Sequence, residues 1–190
     1  MNIRKLKRFI IQKLTNELSE KLTYHGVHHT LHVLAVCNEY IKRMNLSGKD
    51  AYLLRTAALM HDTGFLFTYD NHEERGILLA KEILPGYNYS ASEIKKIEGM
   101  IRATKIPQNP TNVLEQIIGD SDLDYLGTDS FQKISETLYA ELLSFNKISA
   151  REDWNKLQIK FLQKHSYHTH FAQKYREPVK QKHLKELAEK

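Results

Sequence analysis

Histidine and aspartate side chains are concentrated in three short segments, at spacings that suit the binding of a metal ion. Four of the ten histidines fall within eight residues, a histidine–aspartate dipeptide follows later, and three carboxylates fall within five residues further along. Imidazole nitrogens and carboxylate oxygens together suit Mn, Fe, Co, Ni or Zn and leave coordination positions for water. Two imidazoles and two carboxylates from these segments therefore predict one divalent metal centre. The residues concerned are His25, His28, His29 and His32, then His61 and Asp62, then Asp120, Asp122 and Asp124.

The apolar residues that precede two of these segments favour a metal site over a surface charge cluster. Asp62 ends the run Ala57-Ala58-Leu59-Met60-His61, and Asp120 follows Ile117-Ile118-Gly119. A carboxylate at the end of a buried run is costly unless it is paired or binds a cation. Each segment alone also fits an ordinary role, because histidine pairs on a helix are commonly packing residues and aspartates commonly cap helices. Their occurrence together favours the metal site.

The elements that carry these residues are predicted to be helical almost from end to end. Apolar residues recur at spacings of three and four, no segment alternates as a strand would, and the fold class is all-α. On a helix, His25, His29 and His32 share one face. Capping boxes are predicted at Ser47 with Asp50 and at Ser90 with Glu93, with Asn71 as the N-cap of a further helix and Gly64 ending the one before it. Later helices are predicted over 111–127, 130–145 and 149–165, followed by a basic tail with Pro178 in a first helical turn.

Composition limits the function classes. The 190 residues carry 28 Lys+Arg and 23 Asp+Glu, a net charge of +5, and fit one domain. The single cysteine, Cys37, excludes a disulfide framework and a cysteine-built zinc site. No run of 18 apolar residues occurs, so we expect a soluble cytoplasmic protein with no membrane partner. Nucleic acid is an unlikely partner, because the aromatic residues are not interleaved with the basic ones as a stacking platform requires.

The three segments together resemble the HD superfamily of metal-dependent phosphohydrolases, whose pattern is H…HD…D on a helical bundle. The resemblance rests on Tyr24-His25-x-x-x-His29-Thr30, on Leu59-Met60-His61-Asp62-Thr63-Gly64, and on Asp120-x-Asp122 before Leu126-Gly127. It implies one HD-like helical domain over 1–190, with a core of about 24–127, an extra N-terminal helix and accessory, partly basic helices over 128–190. It also implies a divalent metal ion: Mn, Fe, Co, Ni, Zn or Mg. The implied ligands are His29, His61, Asp62 and Asp122, with Asp120 as the rival for the last place.

The resemblance also implies candidates for catalysis and substrate binding. Tyr24-His25 is similar to the motif start in cyclic-nucleotide phosphodiesterases, where this histidine donates a proton to the leaving oxygen; Gly26 stands where those enzymes usually have asparagine. His25 and Asp62 are thus the expected catalytic residues. His72 occupies the place of a second-metal ligand in related proteins, although Met100–Thr104 supplies no further histidine. The candidates for substrate or second-metal binding are His72, Asp70, Arg102, Lys105 and Asp120.

The function that this resemblance implies is hydrolysis of a phosphate ester, on a nucleotide or a similar small molecule, by a metal-activated water. A module that senses a nucleotide without turnover is the first alternative, and a basic nucleic-acid-binding protein is the second. The first helix and the tail are candidate contacts of a homodimer. The histidine-rich run His165–His170 is either a surface feature or a segment that closes over the substrate.

Overall fold

A computed structural model describes residues 2–189 as an all-α chain, which confirms the predicted fold class. Ten α-helices and three short 3-10 helices cover most of this range, and no strand occurs in it. The α-helices are α1 (Ile3–Glu17), α2 (Val27–Arg43), α3 (Gly48–Met60), α4 (His72–Ile83), α5 (Ala91–Ala103), α6 (Val113–Asp122), α7 (Phe131–Ser144), α8 (Arg151–Lys164), α9 (His170–Tyr175) and α10 (Glu177–Ala188). The 3-10 helices are η1 (Thr63–Leu66), η2 (Leu84–Tyr87) and η3 (Asp124–Gly127). None of the helices in the described residues has the length and apolar character that crossing a membrane requires.

The chain divides into two compact units. The first contains the described residues up to Ser19 together with His25–Asp122, and thus helices α1–α6. Helix α3 is its centre, since it packs against α1, α2 and α5, while α6 packs against α2 and α5. The interior of α3 is apolar on several sides, as expected for a helix surrounded by others. Its fully buried residues are Leu53, Leu54, Ala57, Ala58, Leu59 and Met60.

The second unit contains Glu20–Tyr24 and the described residues from Leu123 onward. Its largely aromatic core is formed by Tyr24, Leu123, Tyr125, Leu126, Phe131, Leu162, Tyr167 and Ala172. Arg176 pairs with the buried Asp124 through two contacts, at 2.7 and 3.4 Å. The fully buried Lys180 bonds Glu177 at 2.8 Å, which ties the first turn of α10 together. The single domain over 1–190, with its core of about 24–127, stays a prediction.

Several local predictions are confirmed and others are wrong. Ser90 and Glu93 form the predicted capping box at the start of α5, and Pro178 lies in the first turn of α10. Ser47 is the N-cap of α3, but its side chain makes no capping hydrogen bond. Gly48, the first residue of this helix, has φ +55°, a left-handed conformation that glycine adopts readily.

The prediction that His25, His29 and His32 share one face of a helix is wrong, because the helix begins after His25. Helix α2 starts at Val27, with Gly26 as its N-cap, so His25 precedes the helix. His32 is exposed, whereas His29 is buried. Helix α3 ends at Met60 rather than at Gly64, which belongs to η1. The histidine–aspartate pair therefore lies in the short connection between α3 and η1.

Candidate metal centre

Three ligand atoms from separate parts of the first unit converge in its interior. His29 comes from α2, His61 caps the C-terminus of α3, and Asp122 is the last residue of α6. The Nε2 atom of His29 lies 3.0 Å from Asp122 Oδ1 and 3.4 Å from His61 Nε2. All three ligand atoms lie within 4.8 Å of one another. Among residues 2–189 these three side chains form a group whose spacing could hold a metal ion.

Asp62 brings a fourth ligand atom to the same place. Its Oδ2 atom lies 3.2 Å from His61 Nε2 and 3.4 Å from His29 Nε2. This oxygen is buried and has no hydrogen-bond partner among the described residues. A buried carboxylate oxygen without a partner costs free energy that a bound cation would recover. This oxygen therefore lies where a cation bound by the cluster could also contact it.

The orientation of His61 fits metal binding as well. Its Nδ1 atom lies 3.0 Å from the carbonyl oxygen of Ala58, which identifies Nδ1 as the protonated nitrogen. The lone pair of Nε2 then points to the cluster, as in metal-binding histidines whose second nitrogen donates to a carbonyl. Two imidazole nitrogens and two carboxylate oxygens are a donor set that suits a divalent ion with water in its remaining positions. The residues present fit such an ion.

Electrostatics in the cluster favour ionised carboxylates. Burial acts to raise the pKa of Asp62, but His61 and the neighbouring imidazoles outweigh it and hold that pKa well below its ordinary range. Burial also acts against ionisation of Asp122, but the hydrogen bonds from His29 and His61 lower its pKa to about 2. For His61, burial disfavours the charged form, yet the two aspartates raise its pKa well above the ordinary value. The centre thus holds two carboxylates that are negative at neutral pH.

Two further histidines lie beside this cluster, and both stack on one aromatic ring. The rings of His25 and His72 each stack on Phe65, at centroid distances of 4.2 and 3.9 Å. His25 lies 5.8 Å from the His29 ring, edge to face. The Nε2 atom of His72 lies 3.5 Å from Asp62 Oδ1, so Asp62 turns one oxygen to the donor cluster and the other to His72. Burial lowers the pKa of His72 despite this carboxylate, which keeps its imidazole neutral.

The remaining predicted site residues lie outside the donor cluster. Asp120 is fully buried in α6 but is not one of the converging ligands, and Asp70 is exposed. Arg102 forms a two-pronged ion pair with Glu74, at 2.8 and 3.1 Å. Lys105 donates a hydrogen bond to Asn71 Oδ1 at 3.0 Å. The histidine-rich run His165–His170 belongs to the second unit. The assignment of ligand and catalytic roles stays a prediction for all of these residues.

Sequence reasoning missed Phe65 and Glu73 as residues of this region, and it gave Gly64 only as a helix end and as part of the motif. Phe65 supports both His25 and His72, and the buried Glu73 lies 3.6 Å from His72 Nε2. Gly64 lets η1 and α4 approach closely, since a Cβ atom there would lie 1.7 Å from the carbonyl oxygen of His72. The sequence signal for Gly64 was its place two residues after Asp62. Phe65 and Glu73 gave no signal, because ordinary core and first-turn residues have the same types.

This chain belongs to the HD domain family, whose model matches residues 26–173. It is similar in structure to the crystal structure of a predicted HD superfamily hydrolase from an uncultured Thermotogales bacterium, with a TM-score of 0.57. The two sequences are 22% identical, and the match covers 86% of this chain and 96% of that one. At this identity the likeness concerns the fold. No curated protein matches the chain. The resemblance inferred from the three histidine and aspartate segments is thereby confirmed.

Proposed function

We propose that this protein is a metal-dependent phosphohydrolase that cleaves a phosphate ester of a nucleotide or of a similar small molecule. The observation that carries the proposal is the convergence of His29, His61 and Asp122 with the buried, unpartnered Oδ2 atom of Asp62. Membership of the HD domain family supports it. The site lies wholly within the first unit, so its geometry depends on helices that pack directly on one another.

His29, His61, Asp62 and Asp122 would hold the ion. A divalent ion in such a donor set lowers the pKa of a bound water toward about 7 and polarises a phosphoryl oxygen. Asp62 would be placed to accept a proton from a water in the site, since its Oδ2 atom faces the donor cluster and its Oδ1 atom faces His72 outside it. A carboxylate that both orients and deprotonates the nucleophile needs this placement.

We assign protonation of the leaving oxygen to His25. Its ring lies outside the donor cluster, 5.8 Å from the His29 ring, and the stack on Phe65 fixes its plane. A general acid must lie beside the reacting group, must not itself bind the metal ion, and must have a fixed orientation. His72, which also stacks on Phe65, would contact a phosphoryl oxygen of the substrate. Arg102 is the weaker cation candidate, because both arms of its guanidinium already bond Glu74.

The proposal is tested by metal content and turnover in the same preparations. Wild-type protein, Asp62→Ala and the exposed control Asp129→Ala are dialysed and analysed for metal, and then assayed with Mn, Fe, Co, Ni, Zn or Mg added. The substrates are p-nitrophenyl phosphate, bis(p-nitrophenyl) phosphate and a set of nucleotides. We expect about one metal ion per chain in wild type and control, with loss of metal and turnover in Asp62→Ala.

Two outcomes would overturn the proposal. If the wild-type protein takes up no metal, the donor cluster is not a metal site. Metal uptake with tight nucleotide binding, but without turnover of any ester, would assign the protein to the class of nucleotide-sensing modules. Thermal unfolding of each variant shows whether it remains folded.

A further inference from the structure

The left-handed backbone of Asn71, the residue before His72, differs in its position from the other left-handed non-glycine residues that the structure describes. Among the described residues, four non-glycine residues have positive φ, and all four are asparagines. Asn45, Asn88 and Asn146 follow the C-terminal ends of α2, η2 and α7, where a left-handed residue is a common helix terminator. Asn71, with φ 54°, instead lies at the start of α4.

The left-handed conformation of Asn71 is unusual for its position. An N-cap residue is normally extended, and its side chain accepts a hydrogen bond from an amide of the first turn. Asn71 makes no such bond. Its Oδ1 atom accepts a hydrogen bond from the ammonium of Lys105 at 3.0 Å, just beyond the end of α5. Left-handed backbone costs free energy in any residue with a Cβ atom, so a contact that fixes it has a structural effect.

The residue that follows Asn71 is His72, and close contacts restrict the positions of its backbone and its ring. The carbonyl oxygen of His72 lies against Gly64, where even one added carbon would come within 1.7 Å. The His72 ring stacks on Phe65 at 3.9 Å, and its Nε2 atom lies 3.5 Å from Asp62 Oδ1. A change of φ at Asn71 would rotate the start of α4 about this close contact and move the ring away from Asp62.

We propose that Lys105 is a positioning residue, whose ammonium holds Asn71 in the left-handed conformation and thereby fixes His72 against Asp62. Lys105 follows the end of α5, and Asn71 precedes α4. The hydrogen bond between them therefore connects two helices that pack against each other. Its ammonium bonds a neutral amide oxygen rather than a carboxylate, in contrast to Arg102 and Glu74 nearby. The effect on turnover rests on the proposed function; the effect on the His72 ring does not.

The test uses Lys105→Met in two backgrounds, the natural Asn71 and Asn71→Gly. Glycine adopts positive φ without the steric cost of a Cβ atom. In that background a hydrogen bond from Lys105 is therefore not needed to maintain the left-handed conformation. With p-nitrophenyl phosphate as the probe, we expect Lys105→Met to lower kcat by about tenfold or more in the natural background, with KM little changed. In the Asn71→Gly background the same substitution should change kcat by less than about twofold, which is the coupling that a double-mutant cycle measures. The exposed Lys96→Met on α5 is the matched control and should leave turnover unchanged.

A second readout does not need turnover. The imidazole resonances of His72, assigned by their loss in His72→Gln, are recorded by NMR with Zn²⁺ added. They should shift in Lys105→Met and return toward the wild-type positions when Asn71→Gly is added. Equal loss of kcat in both backgrounds, a rise confined to KM, or unmoved His72 resonances would each overturn the positioning role. A wild-type protein without turnover but with the expected resonance shifts would overturn only the proposed function.

Discussion

The Nε2 atoms of His29 and His61 lie 3.4 Å apart in the protein interior, although 32 positions separate the two residues. His61 carries its proton on Nδ1, which faces the carbonyl oxygen of Ala58. Two ring nitrogens that face each other at this distance need a proton or a cation between them, since two lone pairs repel. Asp122 Oδ1, 3.0 Å from the same His29 nitrogen, adds negative charge to the same point. A proton on His61, whose pKa is raised, or a cation bound by both imidazoles would remove this repulsion.

The first prediction distinguishes the two aspartates of α6. Asp122 supplies a converging oxygen, whereas Asp120 is buried two residues earlier and lies outside the donor group. Asp122→Asn replaces an anionic ligand with a neutral amide and should weaken metal binding by about a hundredfold or more. Asp120→Asn should keep the metal affinity within a few-fold of wild type. Titration with Zn²⁺ or Mn²⁺, followed by calorimetry, measures both affinities.

The same titration has a stability control. A ligand at 100 times its Kd stabilises the folded state by about 2.7 kcal/mol, which for a chain of this size raises Tm by roughly 5–10 °C. Chelation should remove this increment from wild type and from Asp120→Asn, but not from Asp122→Asn, which lacks it from the start. Loss of metal in Asp120→Asn with metal retained in Asp122→Asn would reverse the assignment.

The sequence was sufficient for the helices and for most of the donor set. Apolar spacing predicted the all-α fold, because burial of one helix face requires a period near 3.6. The capping box of Ser90 and Glu93 was predictable because both partners lie within one turn. The resemblance to the HD superfamily implied His29, His61, Asp62 and Asp122 as a ligand set, and the structure brings their ligand atoms together.

Features that depend on contacts between distant segments could not be predicted. The sign of φ at Asn71 is not a property of asparagine alone, and here it accompanies a bond from a residue 34 positions away. The stack of His25 and His72 on Phe65 arises because η1 packs against α4, which no local pattern encodes. Position 48 shows the reverse case: a left-handed glycine begins the helix there, and the capping bond that the residue types of Ser47 and Asp50 had indicated is not formed.

The second prediction separates catalysis from metal binding at His25. Its ring stacks on Phe65 and is not one of the converging ligands, so His25→Ala should leave the metal content unchanged. Removal of a general acid lowers kcat by about 10²–10⁴, and the loss should be largest with nucleotide substrates, whose leaving oxygen needs a proton. With p-nitrophenyl phosphate the loss should be smaller, because p-nitrophenolate leaves without protonation. Equal metal loss in His25→Ala and Asp62→Ala would place His25 among the ligands instead.

The third prediction concerns pH and the start of α5. Hydrogen bonds from the Ser90 backbone amide, Lys49 and the Ser90 hydroxyl lower the pKa of Glu93 from 4.5 to about 2. A carboxyl whose pKa is lower in the folded than in the unfolded state stabilises the fold fully at pH values above its unfolded-state pKa. This stabilisation disappears as the pH falls toward the folded-state pKa. Glu93→Gln should therefore lower Tm by a few degrees at pH 7, and the difference from wild type should shrink between about pH 4.5 and pH 2.

Thermal unfolding of Glu93→Gln, followed by circular dichroism at a series of pH values, makes this comparison. Glu82→Gln, at an exposed position on α4, is the control and should follow the wild-type curve throughout. A Tm difference that stays constant down to pH 2 would show that the Glu93 side chain acts through packing rather than through its charge.

The fourth prediction tests the close approach between η1 and α4. A Cβ atom at Gly64 would lie 1.7 Å from His72 O and 2.9 Å from Gly76 N, and backbone atoms cannot yield as a side chain can. Gly64→Ala must therefore displace the start of α4, at a cost of about 3 kcal/mol or more. Gly86→Ala is the matched control, because no atom lies within 4 Å of its added Cβ, and it should stay within about 0.5 kcal/mol of wild type. Urea unfolding measures both values. Because the displacement also moves His72 away from Asp62, Gly64→Ala should lose turnover under conditions where it is still folded; full turnover in a folded Gly64→Ala protein would show that the position of His72 is not required.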